Sequence, residues 1–251
     1  MVEDGAMRDE KIFLFHIRGQ EGVPEFLHPL EATLEWVEGL KKYPLVGRYG
    51  SEPRIESINL FKEELQGILQ KAIRRWVADR WFSERFVLAA IAFLLAYFFF
   101  SYVIRDPIPV IDELVLSFLA GIFTFRGLTK RFYTREEVTI LREELQEKIE
   151  RLGFEESSLV RTVENLLEEL EGSSFPGLVD RYRRGEKLAI HPEDFEEAKG
   201  LLFSLECRFS GKERKKFLKE LERGKFVMKK RGDIRKIAYL FLYHLLRRSL
   251  P

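Results

Sequence analysis

At 251 residues the chain has room for one large domain or two small ones, and 45% hydrophobic with 33% charged residues is, on average, the balance of an ordinary globular protein. A net charge of +1 argues against a generally basic nucleic-acid binder, and one cysteine, Cys207, rules out an intramolecular disulfide framework and supplies no cysteine cluster for zinc. The average conceals a division: apolar residues gather near the middle and the flanks are rich in Glu, Lys and Arg, the composition of a membrane segment diluted by polar domains.

The N-terminus, Met1-Val2-Glu3-Asp4-Gly5, is acidic and has no apolar core, so no cleavable signal peptide is expected. Residues 1–56 read as a small N-terminal α(+β) cytoplasmic segment, with a strand at Lys11 to Arg18 (KIFLFHIR) and a helix from Pro29 to about Lys42. Pro44, Gly47, Gly50 and Pro53 read as turn signals. Over 57–85 an amphipathic juxtamembrane helix is expected, because Ile58, Phe61, Leu65, Ile68 and Ala72 recur at alternating steps of three and four. Whether this helix runs unbroken into the next segment is not decided by the sequence.

Residues 86–126 read as a two-span transmembrane hairpin. Phe86 to Ile104 is 19 residues without a charge, roughly 29 Å as a helix, which matches a hydrocarbon core of about 30 Å. Trp76, Trp81 and Arg85 precede the run and Arg105 follows it, forming an aromatic and basic collar of the kind found at membrane interfaces. Pro107 to Phe125 is long enough to return, with Asp106 as helix cap, Pro107 at the first helical position, and Asp112 and Glu113 in the first turns, where a carboxylate near the interface costs little. Arg126, Lys130 and Arg131 close this second span. Basic residues on both outer flanks against Arg105 alone at the turn predict cytoplasmic termini, in the plasma (inner) membrane. Ala89, Ala90, Ala92 and Ala96 in the first span, with Ser117, Ala120 and Gly121 in the second, are small enough to bring the two backbones together.

Residues 127–251 read as an all-α cytoplasmic bundle. Val138, Leu141, Leu145 and Leu152 mark one helix stopped by Gly153, and Val160, Val163, Leu167 and Leu170 mark the next. Ser173, Ser174, Pro176 and Gly177 read as a loop, and further helices are expected from Pro192 to Phe209, Lys212 to Arg223 and Asp233 to Arg248. Residues 134–200 hold 18 acidic against 10 basic residues, whereas residues 211–251 hold 14 basic against 4 acidic. The last helix therefore has two readings: a bundle helix packed on the acidic half, or a basic helix lying on anionic lipid.

No chemistry announces itself. His16, His28, His191 and His244 are scattered without metal-ligand spacing, and no phosphate-binding loop, dinucleotide fingerprint or nucleophile elbow is present, so no metal, cofactor or catalytic residue is assigned and no enzyme is expected. The pointed candidates are Asp106, Asp112 and Glu113, since ionisable residues at membrane depth mark ion or substrate paths. A two-span hairpin with an acidic turn resembles the mitochondrial calcium uniporter in outline, but the Trp-Asp-x-x-Glu-Pro order of that pore is missing here, and nothing of its activity carries over. Two readings follow. One is a membrane-anchored scaffold or regulatory protein binding an unidentified protein partner through its cytoplasmic helices. The other is a subunit of a homo-oligomeric cation channel or transporter, in which symmetry makes an acidic ring at the hairpin turn. The lipid bilayer is the expected partner in both, and nucleic acid in neither.

Overall fold

A computed structural model describes residues 11–19, 23–30, 34–103, 110–224 and 234–251. The protein is mainly α, with ten helices among the described residues and a small mixed sheet of four strands. The chain order is β1 (Ile12–Arg18), β2 (Pro24–Leu27), α1 (Leu34–Lys42), β3 (Leu45–Tyr49), α2 (Ile55–Arg80), α3 (Phe82–Val103), α4 (Val110–Tyr133), α5 (Glu136–Glu150) and β4 (Phe154–Glu156). It continues through α6 (Ser158–Gly172), α7 (Phe175–Arg183), a 3-10 turn at Pro192–Asp194, α8 (Phe195–Arg208), α9 (Gly211–Arg223) and α10 (Ile234–Ser249).

Two compact units emerge, and neither is one stretch of chain. The first takes residues from Met1–Leu30, Lys42–Glu64 and Lys148–Pro251; the second takes Glu31–Lys41 and Leu65–Glu147.

In the first unit the strand order is β2-β1-β3-β4, with β1 antiparallel to β2, parallel to β3, and β3 parallel to β4. The sheet thus joins three strands from the N-terminal part of the chain to one from its middle, and β3 and β4, adjacent in that sheet, are separated in sequence by all of α2 to α5. Strand β1 is buried on both faces. Phe13, Phe15 and Ile17 join the core formed with α6, α8 and α10, while Phe26, Phe61 and Phe154 form an aromatic cluster in which Phe26 and Phe61 stack at 4.0 Å and His16 meets Phe26 edge-on. Helix α10 is buried from Ala238 to Leu246 and contacts α6 and α8. It is therefore a core helix of this unit, which decides between the two readings of the basic C-terminal segment. Charge complementarity assists: Arg235 on α10 pairs with Glu171 of α6 and, at 3.3 Å, with Glu25 of β2.

Several elements differ from the sequence expectation. Strands β2, β3 and β4 were not anticipated, and β4 interrupts a region expected to be helical throughout. Gly47 is no turn residue: a Cβ there would lie 2.5 Å from the Gly153 carbonyl, so glycine is what allows β3 to approach its neighbour. Ser173 is the C-cap of α6 and residues 174–177 open helix α7, with the Ser174 side chain capping Gly177 N–H and proline in the first turn. The 3-10 turn and α8 replace a single helix from Pro192, and neither His191 nor Asp194 caps with its side chain.

In the second unit, Trp36, Val37 and Leu40 of α1, the apolar stripe Leu65–Leu69–Ala72–Ile73–Trp76 of α2, and Val138, Leu141 and Leu145 of α5 are buried. Helix α2 ends at Arg80 and α3 begins at Phe82, but backbone bonds from Trp81 N–H to Val77 and from Arg85 N–H to Trp81 keep i to i−4 spacing across the joint.

Candidate functional site

The helix pair α3–α4, in the second unit, carries the sequence-selected residues. Its two helices make the most extensive contact between elements in the described protein, and they run antiparallel, since Ser101 meets Glu113, Ala89 meets Gly121 and Arg85 meets Thr129. A Cβ on Gly121 would touch the Ala89 carbonyl and the Phe93 Cβ at 3.4 Å, so the small residues bring the backbones close.

One end of the seam is acidic. Glu113 is 3% exposed, accepts a hydrogen bond from Ser101 Oγ at 2.8 Å, and has its other oxygen, Oε1, buried without a hydrogen-bond partner. Ser117, fully buried one turn on, donates to the Glu113 backbone carbonyl at 2.6 Å. Asp112 is exposed in the first turn of α4 and is not brought to Glu113's partners. Asp106 and Arg105 lie outside the described residues.

The other end is basic and aromatic. Arg85 is buried, donating to Thr129 Oγ1 at 2.6 Å, to the Trp81 carbonyl at 3.3 Å and to the Ala78 carbonyl, with its guanidinium over the Phe125 ring. Trp76 and Trp81 are also buried, meeting edge to face at 5.5 Å, and Trp81 stacks on Phe132. Arg126, Lys130 and Arg131 are exposed. Sequence reading did not select Ser101 or Thr129, and took Ser117 only as a small residue of the second span. Ser101 was within reach: in a tight antiparallel hairpin, residues equidistant from the turn face each other, and Ser101 and Glu113 are equally far from Pro107.

Two further buried carboxylates belong to the first unit. Glu164 accepts from the Arg18 backbone N–H at 2.7 Å and from Ser51 Oγ at 2.5 Å, tying α6 to β1 and to the end of β3. Glu197 accepts from Ser157 Oγ and lies 3.3 Å from Arg48 Nε; burial pushes its carboxyl above the usual range despite both partners. These contacts hold elements of the first unit together. Among the described residues no group of three or more His, Cys, Asp or Glu side chains is placed to hold a metal ion.

Among the described residues one helix, over Phe82–Tyr102, is long and apolar enough to cross a membrane. In α4 the uncharged stretch between Glu113 and Arg126 is 12 residues, roughly 18 Å, which is short of a full crossing by itself. No known family, curated protein or solved structure matches the chain.

Proposed function

We propose that the α3–α4 pair anchors this protein in a membrane as a two-span hairpin with both termini on the cytoplasmic side, and that the protein acts as a scaffold or regulatory factor, binding a protein partner through its cytoplasmic helices. The observation that supports this reading is the exposure of α3: only 6% of its most apolar window is buried within the protein, whereas a core helix of that hydropathy would be covered. Leu95, Phe98 and Phe99 on α3, and Ile111, Phe118 and Phe123 on α4, are 60–70% exposed, so both helices turn large apolar side chains outward. Basic residues gather where α2 leads into α3 and at the end of α4, in agreement with a cytoplasmic placement of those ends.

Membrane fractions washed with alkaline carbonate test the anchor; release into the supernatant would end this reading. Replacing Cys207 with serine and placing single cysteines at Arg105 and Lys130 tests the two spans, since the first should react with an impermeant thiol reagent from outside and the second from inside.

A second reading is favoured by the unpartnered Glu113 oxygen, because a buried carboxylate with a spare acceptor is suited to a cation or proton path once several copies assemble. Cation flux through liposomes holding the purified protein, lost in Glu113→Gln and kept in Asp112→Asn, would favour a channel or transporter subunit. Crosslinking in lipid that yields only monomers would remove it.

A further inference from the structure

Between α3 and α4 runs a groove of 490 Å³, within the range of about 300–1,000 Å³ usual for small-molecule sites, walled by Phe82, Phe93 and Phe125 and floored by Ala89, Ala90 and Gly121. Its lining is apolar throughout, and Arg126 contributes the stem of its side chain at the end where the Phe125 ring lies 6.1 Å from that of Phe82. Along α3 the groove extends from Phe82 to Phe93, roughly 16 Å of helix, about half the hydrocarbon thickness of a bilayer. Arg85, at the same end, has its guanidinium committed to Thr129, Trp81 and Ala78. Arg126, by contrast, is exposed and makes no ion pair or hydrogen bond among the described residues.

We infer that this groove is a binding site for one acyl chain of an anionic phospholipid from the cytoplasmic leaflet, with the lipid phosphate on Arg126. The inference rests on the membrane placement proposed above and adds a ligand to it. Length and charge select the occupant together. A chain entering from the headgroup region beside Arg126 reaches Phe93 after one leaflet's depth, and the cation is at the headgroup end. A helix from a second copy would fill the small-residue floor equally well, but the acid that α3 carries at that end, Glu84, already lies 3.9 Å from Arg135.

The test uses the full-length protein in nanodiscs of phosphatidylcholine with a minor fraction of phosphatidylglycerol, followed by gentle release and native mass spectrometry of retained lipid. Wild type should retain phosphatidylglycerol over phosphatidylcholine by about fivefold, the weight of one basic side chain beside an anionic headgroup. Arg126→Gln should lower that preference towards unity while still retaining lipid, and Ala90→Phe, which fills the groove from its floor, should lose both lipids. Because Ala90→Phe could disturb helix packing, its thermal unfolding is compared with wild type, and Arg126→Gln, at an exposed position, carries the test if the first variant unfolds. Retention without headgroup preference, or a preference unchanged by Arg126→Gln, overturns the inference and leaves the anchor standing. A lipid-free dimer abolished by Ala90→Phe overturns it in favour of a second copy. Failure to enter nanodiscs at all is the failure of the anchor itself.

Discussion

Ser101 on α3 donates its hydroxyl to the buried carboxylate of Glu113 on α4 at 2.8 Å, and it is the only side chain among the described residues that does so. Ser101→Ala removes this donor and leaves a buried acceptor wholly unsatisfied, a loss of about 1–3 kcal/mol. Glu113→Met, which removes the acceptor and keeps an apolar side chain of similar length, should be neutral or stabilising, because an apolar replacement abolishes the desolvation cost. Chemical denaturation in detergent, followed by tryptophan fluorescence, reads both. Equal stability of Ser101→Ala and wild type would show that the bond is not formed.

At the opposite end of the pair, Thr129 Oγ1 accepts a hydrogen bond from the Arg85 guanidinium and its hydroxyl donates to the Phe125 carbonyl at 2.9 Å. Thr129→Val preserves shape but leaves one buried arm of a charged group without an acceptor, with an expected cost of about 1.5–3 kcal/mol. Thr129→Ser keeps the oxygen and should stay within about 0.5 kcal/mol of wild type. The same denaturation series decides the matter, and a silent Thr129→Val would mean that Arg85 finds its partner elsewhere.

The helices were legible because their cause is local. Phe61, Leu65, Ala72 and Val160, Val163, Leu167, Leu170 repeat at helical steps, and all are buried. Of the strands only β1 was legible; the other three are five residues or shorter, too brief for an alternating pattern to stand out, and each carries or begins beside a proline or glycine of the kind that punctuates turns. Pairing between β3 and β4 joins residues more than a hundred positions apart, which no local pattern encodes. At the helix pair, charge at membrane depth drew attention to Glu113. Asp112 next to it was weighted equally, yet adjacent residues on a helix point about 100° apart, and only one of them enters the seam.

The glycine in β3 gives a direct check of that pairing. Gly47→Ala would place a Cβ against the Gly153 carbonyl that accepts the Gly47 N–H at 3.2 Å, and backbone has little room to retreat. A loss of about 1–3 kcal/mol is expected, with faster amide exchange at Ser157, whose N–H donates to the Tyr49 carbonyl, and in β4. Gly67, exposed in the interior of α2 with nothing within 4 Å, is the contrast: Gly67→Ala should stabilise by about 0.5–1 kcal/mol. If both substitutions behave alike, the close approach of β3 and β4 is wrong.

Acid sensitivity should come from the histidines of the first unit. His244 is buried on α10, stacked near Phe217 and beside Tyr243; burial pushes its imidazole down to about 4 against a backbone hydrogen bond to Arg214 that raises it, and the nearby cations Arg247, Arg248 and Arg214 add smaller downward contributions. His16 and His28 are shifted down as well, also by burial. A histidine whose folded value lies below its unfolded one is neutral in both states above about pH 6.5 and contributes no pH dependence there. As pH falls from about 6.5 towards 4 the unfolded chain takes up a proton that the folded protein refuses, so stability is lost across that window. His244→Phe, which fills the same apolar site with a ring that does not titrate, should flatten the decline between pH 6.5 and 4 while leaving stability near pH 7.5 within about 1.5 kcal/mol. Unfolding midpoints measured at half-unit pH steps for the two proteins read the difference, and parallel curves would place the acid sensitivity in His16 and His28 instead.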